Sequence, residues 1–220
     1  MRSVVSKPDL VEQVHGALIE AIVSGELGAG ERLTQEELAE RFGVSRQPVL
    51  QAILLLRQQG LIDEAPNKRG LFIAPLDAEF LTNLYEVRSA LDGAAAAAAA
   101  RRAGPSRRTR GLELIRRGRE AVASGDLRQL VRADRDFHMF IYQAADNPLL
   151  LATATLHWHH TQRAMSTYLS RVGSLRSVWT EHQQILEAVL KHDARAADRL
   201  SRKHADNSLD QLLEHLNNQE

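Results

Sequence analysis

The stretch that decides the fold of the N-terminal part of the chain is Gly25–Ile62, GELGAGERLTQEELAERFGVSRQPVLQAILLLRQQGLI. It holds two short segments with apolar residues at helical spacing, and Gly43 lies between them in the sequence GVS. Glycine readily adopts the left-handed backbone conformation that a tight turn between two helices requires. The stretch therefore predicts a helix-turn-helix.

The segments on either side of this motif complete a small domain. Apolar residues recur at helical spacing from about Asp9 to Ser24, which predicts one more helix before the motif. After the motif, the β-like pieces GLIDE and GLFIAP are joined by APNKRG, which predicts a hairpin. Three helices followed by a hairpin indicate a winged helix-turn-helix domain over residues 1–76, and such a domain binds DNA with its second motif helix in the major groove.

Both motif helices carry recognisable signals at their start. Thr34 followed three residues later by Glu37 is a capping box, which begins the first helix. Ser45 can cap the second helix, and Pro48 is tolerated there only because it lies in the first turn. These signals fix where each helix of the motif begins.

The N-terminal end of the second motif helix is the part that meets bases and phosphates. An arginine there can make a bidentate contact to guanine, and a glutamine can read adenine or contact a phosphate. The hairpin tip NKRG adds two cations and a glycine that allows close backbone approach. The predicted contacts to double-stranded operator DNA are Thr34, Ser45, Arg46, Gln47, Lys68, Arg69 and Gly70. A helix-turn-helix that contacts only protein is the alternative.

Composition limits the class of protein. The net charge is zero, yet residues 41–57 carry Arg41, Arg46 and Arg57 with no acidic residue, which indicates a small, focused contact with an anion. Because the chain has no cysteine, a metal ion would be held by His, Asp and Glu side chains. The chain has no apolar run of membrane-spanning length and no signal-peptide core, so we expect a cytoplasmic protein without membrane contact.

From Asp77 onward the sequence shows helical patterns and no strand signals. Six helical segments are predicted, at about 77–102, 106–123, 126–145, 147–170, 174–192 and 194–217. Short connections between long helices indicate antiparallel neighbours. The whole chain is therefore predicted to be mainly α, with an all-α antiparallel bundle of about six helices over residues 77–220. The alanine run from Gly93 to Ala100 is either a close packing surface or an exposed spacer.

One helix of this bundle turns a carboxylate and an imidazole toward its apolar side. In RADRDFHMFIYQAADN, Arg132–Asn147, Asp134 and His138 stand four residues apart and point from one face. His182 lies on the apolar face of the fifth segment and His204 on a mixed face of the sixth, and antiparallel packing would bring both to one height. These four side chains are candidate ligands of one metal ion. The alternative is that the histidines are hydrogen-bonded core residues.

The opening stretch, followed by RGLFIAP, resembles the DNA-binding domain of GntR-type bacterial transcription regulators. The resemblance covers roughly residues 10–75 and implies a homodimer on a palindromic operator, with the wing against the minor groove or the backbone. Where such regulators commonly read PVREAL, this chain reads PVLQAI. Leu50 thus replaces an arginine that usually contacts DNA, and Gln51 replaces a glutamate. This departure leaves more of the contact to Arg46 and the wing, so the usual operator consensus does not follow.

Residues 77–217 resemble the all-α effector-binding FCD domain of the FadR branch of these regulators, and six helices would fit its VanR-like subgroup. In that branch the patterns D-x-x-F-H and E-H and a final helical histidine commonly form a metal site. Here they read Asp134 to His138, Glu181 with His182, and His204. The resemblance also implies that Arg88 in YEVRSAL faces the effector, where a guanidinium suits a carboxylate. A salt bridge from Arg88 to an acid such as Glu181 is the alternative.

The expected cofactor is a divalent transition metal. Zn²⁺ suits imidazole and carboxylate ligands best, and Ni²⁺, Mn²⁺ or Fe²⁺ are compatible with the same donor set. Four protein ligands leave open positions on a five- or six-coordinate ion, and a small carboxylate metabolite can fill them. Its binding would tie helices together across the bundle, which is the differential contact that a switch requires.

These features predict a ligand-responsive transcription regulator, such as a repressor, and not an enzyme. A metal-dependent enzyme on an α-bundle is the alternative, and it would need an activated water, a general base and a substrate cleft. It would leave the winged helix-turn-helix without a role. A protein-interaction scaffold, the third class considered, would leave the four aligned ligands without one.

Overall fold

The computed structural model describes residues 10–64, 70–102, 104–168 and 175–217. The chain divides into two compact units, Met1–Leu76 and Asp77–Glu220, and each has its own apolar core. Helices dominate both units, so the predicted mainly α fold is confirmed.

The N-terminal unit combines three helices with a small sheet. Its elements in chain order are α1 (Leu10–Ser24), β1 (Arg32–Leu33), α2 (Gln35–Phe42), α3 (Arg46–Gln58), β2 (Ile62–Glu64) and β3 (Leu71–Ile73). Strand β3 is central and pairs antiparallel with β1 and β2, so that Phe72 lies opposite Arg32 on one side and Asp63 on the other. The sequence predicts the β2–β3 pair but not β1, because a two-residue strand has no period that a pattern can reveal.

The turn of the helix-turn-helix forms as the sequence predicts. The backbone N–H of Glu37 donates to Oγ1 of Thr34 at 3.2 Å, and the Thr34 hydroxyl donates to Oε2 of Glu37 at 2.7 Å. Gly43 ends α2 with a φ of 63°, in the left-handed region. Ser45 occupies the position before α3, but its side chain makes no capping hydrogen bond, so that detail of the prediction is wrong. The core of this unit buries Val49, Ile53 and Leu56 of α3 in one cluster with residues of α1 and α2.

The C-terminal unit contains six helices within the described residues, as predicted. They are α4 (Ala78–Arg101), α5 (Pro105–Ser124), α6 (Leu127–Ala144), α7 (Pro148–Tyr168), α8 (Leu175–Leu190) and α9 (Ala194–Asn217). The predicted segments match these bounds to within three residues at either end. Phe137 of α6, with Trp179 and Leu186 of α8, is among the largest side chains of its core. None of the described helices combines the length and the apolar character needed to cross a membrane.

Small residues allow the helices of this unit to approach one another closely. A Cβ placed on Gly118 of α5 would lie 2.0 Å from the ring of Trp179, and one on Gly111 would lie 2.5 Å from Leu186. On α4, a Cβ at Gly93 would lie 2.6 Å from the carboxylate of Asp198 on α9. The alanines that follow Gly93 are largely buried, so the run is a packing surface and not an exposed spacer. The close contact of α4 with α9 brings the buried face of α4 to the centre of the unit, where the candidate site lies.

Candidate functional site

Four side chains from three helices converge in the centre of the C-terminal unit. Asp134 and His138 come from α6, His182 from α8 and His204 from α9, and one ligand atom of each lies within 4.8 Å of all the others. Two residues on one helix reach the same point because a spacing of four places them one turn apart. The structure thus brings together the four residues that the sequence analysis selects.

The three imidazoles point their Nε2 atoms at one another. Nε2 of His182 lies 3.1 Å from Nε2 of His204 and 3.2 Å from Nε2 of His138. Oδ1 of Asp134 completes the group, at 3.5 Å from Nε2 of His182 and 3.9 Å from Nε2 of His138. The result is one carboxylate oxygen and three imidazole nitrogens around a common centre.

Burial lowers the pKa of two of these imidazoles, those of His182 and His204. All four side chains are buried, and His182 is fully so, with 0% exposure. Desolvation, reinforced by neighbouring imidazoles and a guanidinium, holds the pKa of His182 well below its ordinary value; the pKa of His204 is lowered chiefly by desolvation too. Both shifts favour the neutral imidazole, which is the protonation state that binds metal.

Two buried polar atoms of this group have no hydrogen-bond partner among the described residues. These atoms are Oδ2 of Asp134 and Nδ1 of His182. A buried carboxylate oxygen without a hydrogen bond is costly, since it has been removed from water. A cation at the common centre would supply a partner for it. The donor set, three imidazoles and one carboxylate, fits a divalent transition metal.

Glu181 fixes the orientation of His204. The Nδ1–H of His204 donates to Oε2 of Glu181 at 2.7 Å, and the side-chain amide of Asn207 donates to the other oxygen of Glu181 at 2.6 Å. The first hydrogen bond places the proton of His204 on Nδ1 and leaves the lone pair of Nε2 directed at the centre. Although burial by itself raises the pKa of Glu181, its bond to His204 brings that pKa below the ordinary value.

Arg88 forms a salt bridge to a nearby acid, as the alternative expected, but that acid is Asp92 and not Glu181. The Nε–H of Arg88 donates to Oδ2 of Asp92 at 3.2 Å, one turn along α4. The other oxygen of Asp92 accepts from the hydroxyl of Tyr142 at 2.7 Å, and Oδ2 lies 3.6 Å from Nδ1 of His138. Burial alone would raise the pKa of Asp92, but His138 and Arg88 hold it below its usual range.

Asp92 and Tyr142 are residues of the site that the sequence analysis missed. The spacing of Arg88 and Asp92, four residues apart on one helix, was a signal available in EVRSALDG. The contact of Tyr142 with Asp92 joins residues fifty positions apart, and no pattern in the sequence indicates it. Together they form a buried support beneath Arg88 and His138.

The guanidinium of Arg88 also reaches the metal ligands. Its Nη2–H donates to Nε2 of His138 at 3.1 Å, and its Cζ lies 5.0 Å from the ring centre of Tyr85 and 5.5 Å from that of Trp158. Burial would lower the pKa of Arg88, but Tyr85 and the two carboxylates nearby raise it overall, so the group stays charged. A cation held in this way is a fixed binding point for an anion.

A narrow pocket opens beside the four ligands. It encloses about 540 Å³ of empty space with its open mouth included. Arg88, Asp134 and His204 line one end of the pocket. The other walls come from Tyr85, Leu130, Met165, Val178, Trp179, Ser208, Gln211 and Leu212. The pocket thus places a cation and two candidate metal ligands next to a mostly apolar space.

In the N-terminal unit, three of the predicted DNA contacts, Ser45, Arg46 and Gln47, lie at the start of α3. Gln47 is exposed, and Arg46 is exposed and forms an ion pair with Glu36 at 2.8 Å. Thr34 lies at the start of α2, where it serves as the cap. Lys68 and Arg69 lie outside the described residues. Gly70 has a φ of 116°, and a Cβ there would lie 3.0 Å from Nε of Arg32, which explains the glycine.

The exposed side of α3 is less basic than the resemblance implies. Leu54 and Leu55 expose 46% and 41% of their surface, and Leu50 is partly exposed. Arg57, at the end of the helix, pairs with Glu64 at 2.7 Å. Arg46 is therefore the cation of α3 best placed to meet DNA, although it must exchange Glu36 for the nucleic acid.

Comparisons with known proteins now decide the family. Residues 10–73 match the family described as bacterial regulatory proteins, gntR family, and residues 83–207 match the FCD domain. The chain belongs to the GntR family. The pairing of a GntR domain with an FCD domain confirms the resemblance on which the sequence analysis relied and agrees with the FadR branch.

Relatives and solved structures of GntR regulators cover most of the chain. An HTH-type transcriptional regulator from Streptomyces ambofaciens is 30% identical over 193 residues, 85% of this chain and 78% of that protein. The HTH-type transcriptional repressor RspR of Escherichia coli is 27% identical over 88% of this chain and 84% of its own. McbR/YncC of E. coli superposes with a TM-score of 0.82 at 22% identity, over 94% of this chain and 99% of that one, which shows the shared fold.

Membership of the GntR family gives the protein its general role. It is a transcription regulator with an N-terminal helix-turn-helix DNA-binding domain and a C-terminal FCD effector-binding domain. The relatives are regulators, so the prediction that the chain is not an enzyme is confirmed. The metal-dependent enzyme considered as the alternative is therefore wrong.

Proposed function

We propose that this GntR regulator binds a palindromic operator as a homodimer, and that a small carboxylate at a divalent metal site in its FCD domain modulates its affinity for DNA. The observation that carries the proposal is the convergence of three imidazole Nε2 atoms and one carboxylate at the edge of a pocket, where Oδ2 of that carboxylate has no hydrogen-bond partner among the described residues. A charged guanidinium, Arg88, faces the same space.

Asp134, His138, His182 and His204 would hold the metal, which would act as a Lewis-acidic anchor for an anionic ligand. The donor set suits Zn²⁺ first, and Ni²⁺, Mn²⁺ and Fe²⁺ next. Glu181 supports this assignment because it directs the Nε2 lone pair of His204 to the centre. Hydrogen-bonded partners of this kind are the usual neighbours of metal-binding histidines.

Arg88 connects the metal ligands to the effector. Nε2 of His138 accepts a hydrogen bond from Nη2 of Arg88 at 3.1 Å. That lone pair cannot serve both the guanidinium and a metal ion. Metal binding at His138 would therefore release one donor of Arg88, still charged and still held by Asp92, for a carboxylate in the pocket.

The effector would act by joining helices that the metal alone does not fully tie together. The pocket is lined by residues of α4, α6, α7, α8 and α9. A ligand that touches these helices in one arrangement of the bundle and not in another shifts the balance between the two. By linkage, operator DNA and effector then change each other's affinity by the same factor.

The DNA side of the proposal assigns Arg46 and Gln47 to bases, and Thr34, Ser45 and the wing residues Lys68, Arg69 and Gly70 to the phosphate backbone. Two copies of α3 related by twofold symmetry would meet two half-sites of a palindrome about one helical turn apart. Leu50, in place of the arginine expected from the resemblance, supports an operator different from the usual consensus.

The test begins with untagged protein and elemental analysis by plasma mass spectrometry. We expect about one transition metal per chain. The double variant His182→Ala/His204→Ala should lose the metal and any response of DNA binding to carboxylates, measured by fluorescence anisotropy on a duplex selected from a random library. His215→Ala, also on α9 but outside the ligand cluster, is the matched control and should keep both. Stoichiometric metal in the double variant would refute the site.

A further inference from the structure

We propose that the effector is a small monocarboxylate with an apolar tail, such as a branched aliphatic or aromatic acid, and not a hydroxylated or sugar-derived acid. This inference rests on the proposed function, because it assumes a carboxylate at the metal and Arg88. It adds the chemical class of the rest of the molecule, which the walls of the pocket decide.

The far walls of the pocket are apolar. Beyond Arg88 and the metal ligands, the space is bounded by Leu130 of α6, Met165 of α7, Trp179 of α8 and Leu212 of α9, each at most 9% exposed. Apart from the indole N–H of Trp179, such side chains offer contact area but no strong hydrogen-bonding groups. A tail that is itself apolar would gain from leaving water for this space, whereas a hydroxylated tail would lose its hydrogen bonds to water without replacement.

Among the described lining residues, few polar groups remain that could form a hydrogen bond to a ligand. The hydroxyl of Ser208 donates to the carbonyl of His204 at 2.8 Å within α9, so it is not free to donate to a ligand. Tyr85 is buried, and its hydroxyl interacts with Arg88. Gln211 is left as the neutral polar side chain that can serve a ligand, which is too little for a polyhydroxylated molecule.

The cations and the size of the pocket limit the number of carboxylates on the effector and its length. Among the described lining residues, Arg88 is the one guanidinium and no lysine is present. A second carboxylate on the ligand would therefore lie in the apolar part without a cation. The enclosed space, about 540 Å³ with its open mouth included, suits a small effector with a single ring or a short branched chain.

The experiment compares probes that share the carboxylate and differ in the tail. Phenylacetate and 4-methylpentanoate are the apolar probes, and D-gluconate and malate are the hydroxylated ones. Binding to metal-loaded full-length protein is measured by calorimetry and by tryptophan fluorescence, to which Trp179 in the pocket wall contributes beside Trp158. We expect the apolar acids to bind at least about tenfold more tightly, because polar ligand groups would be buried without partners.

Two substitutions test the walls directly. Met165→Gln keeps the length of the side chain but adds a polar amide, and it should weaken the apolar acids about tenfold or more without loss of metal. Gln211→Leu makes a partly exposed wall more apolar and should strengthen their binding, which keeps the test valid if the first variant folds poorly. Leu112→Gln, on the exposed side of α5, is the control and should change neither.

The possible outcomes distinguish a failure of this inference from a failure of the proposed function. If gluconate or malate binds as tightly as the apolar acids, this inference is overturned while the carboxylate effector stands. If 2-phenylethanol, the neutral analogue of phenylacetate, binds as well as the acid, the assignment of a carboxylate group to the effector is wrong. If metal is present at one per chain and no carboxylate binds, the effector part of the proposed function falls and this inference falls with it.

Discussion

His204 and Glu181 form a hydrogen-bonded pair, with Nδ1 of His204 2.7 Å from Oε2 of Glu181. The pair joins α9 to α8, and the side chain of His204 is almost completely buried while that of Glu181 is 27% exposed. Since the proton of His204 is committed to Glu181, its Nε2 can act only as an acceptor or a ligand. The tautomer that a metal needs is thus already selected in the protein without a metal.

Removal of this partner should weaken the metal site without abolishing it. Glu181→Ala leaves all four ligands in place but frees the ring of His204, and losses of this kind cost about 10–100-fold in metal affinity. Glu181→Gln, which keeps an acceptor, should cost less. Competition with a chromophoric chelator measures the affinities. Glu187→Ala, an exposed change on the same helix, is the control; equal affinities for Glu181→Ala and this control would contradict the assigned role.

Asp92 should be important for the stability of the C-terminal unit. It is 4% exposed and is the hydrogen-bonded carboxylate partner of Arg88, which is 6% exposed. Asp92→Ala would leave a buried guanidinium with weaker compensation, and breaking a buried ion pair costs about 3–5 kcal/mol. Tyr142→Phe removes one hydrogen bond to the same carboxylate and should cost about 1 kcal/mol. Urea unfolding of metal-free protein measures both, and a smaller loss for Asp92→Ala than for Tyr142→Phe would show that Asp134 compensates Arg88 instead.

The stability of the metal-free protein should fall as the pH falls below the ordinary histidine pKa of 6.5. The pKa values of His182 and His204 are lowered in the folded state, chiefly by desolvation. Below pH 6.5 the unfolded chain therefore binds more protons than the folded one, and the free energy of unfolding decreases until the folded-state pKa values are reached.

Thermal melts of metal-free protein between pH 7.5 and 5 check this dependence. The variant His182→Gln should show a weaker slope, since one of the two depressed groups is gone. A saturating metal should flatten the curve, because metal-bound nitrogens cannot take up protons until the ion leaves. A melting temperature that does not change over this pH range in the metal-free protein would contradict the prediction.

Substitutions at Arg46 and at Glu36 should change the affinity for operator DNA in opposite directions. Arg46→Ala should cost about 1–3 kcal/mol of binding to the selected operator, since it removes the cation best placed at the start of α3. Glu36→Gln should strengthen binding, because Arg46 is then free of its 2.8 Å ion pair and a negative charge is removed from the interface. Salt titrations of operator affinity measure both. Unaltered binding by Arg46→Ala would refute the placement of α3 in the groove.

Much of the fold could be predicted from local patterns. The capping box at Thr34 and the glycine at position 43 define the helix-turn-helix, and the six later helices follow from apolar periodicity broken by Gly, Pro and Asp. Strand β1 escaped prediction because it exists only through its pairing with β3. The capping hydrogen bond expected of Ser45 does not form. The residue type makes such a bond chemically possible, but the local geometry decides whether it forms.

The candidate site, like the fold, could be predicted only in part from local patterns. Spacing along single helices selected Asp134 with His138, and a shared apolar face selected His182. Arg88 does pair with an acid, but with Asp92 and not with the example Glu181, which is bonded to His204 and Asn207. Competition among neighbours decides such pairings, and the competitors come from different helices.

The sequence by itself determined which residues have the chemistry for DNA and metal and on which helix faces they lie, because helical periodicity is a local property. Only the tertiary structure decided that Tyr142 reaches Asp92, that Arg88 donates to His138, and that apolar side chains of four helices close the pocket beside them. Those contacts join residues far apart in the chain. They depend on how closely α4 approaches α9 and α5 approaches α8, and that distance is set by the packing of glycines and alanines against large side chains.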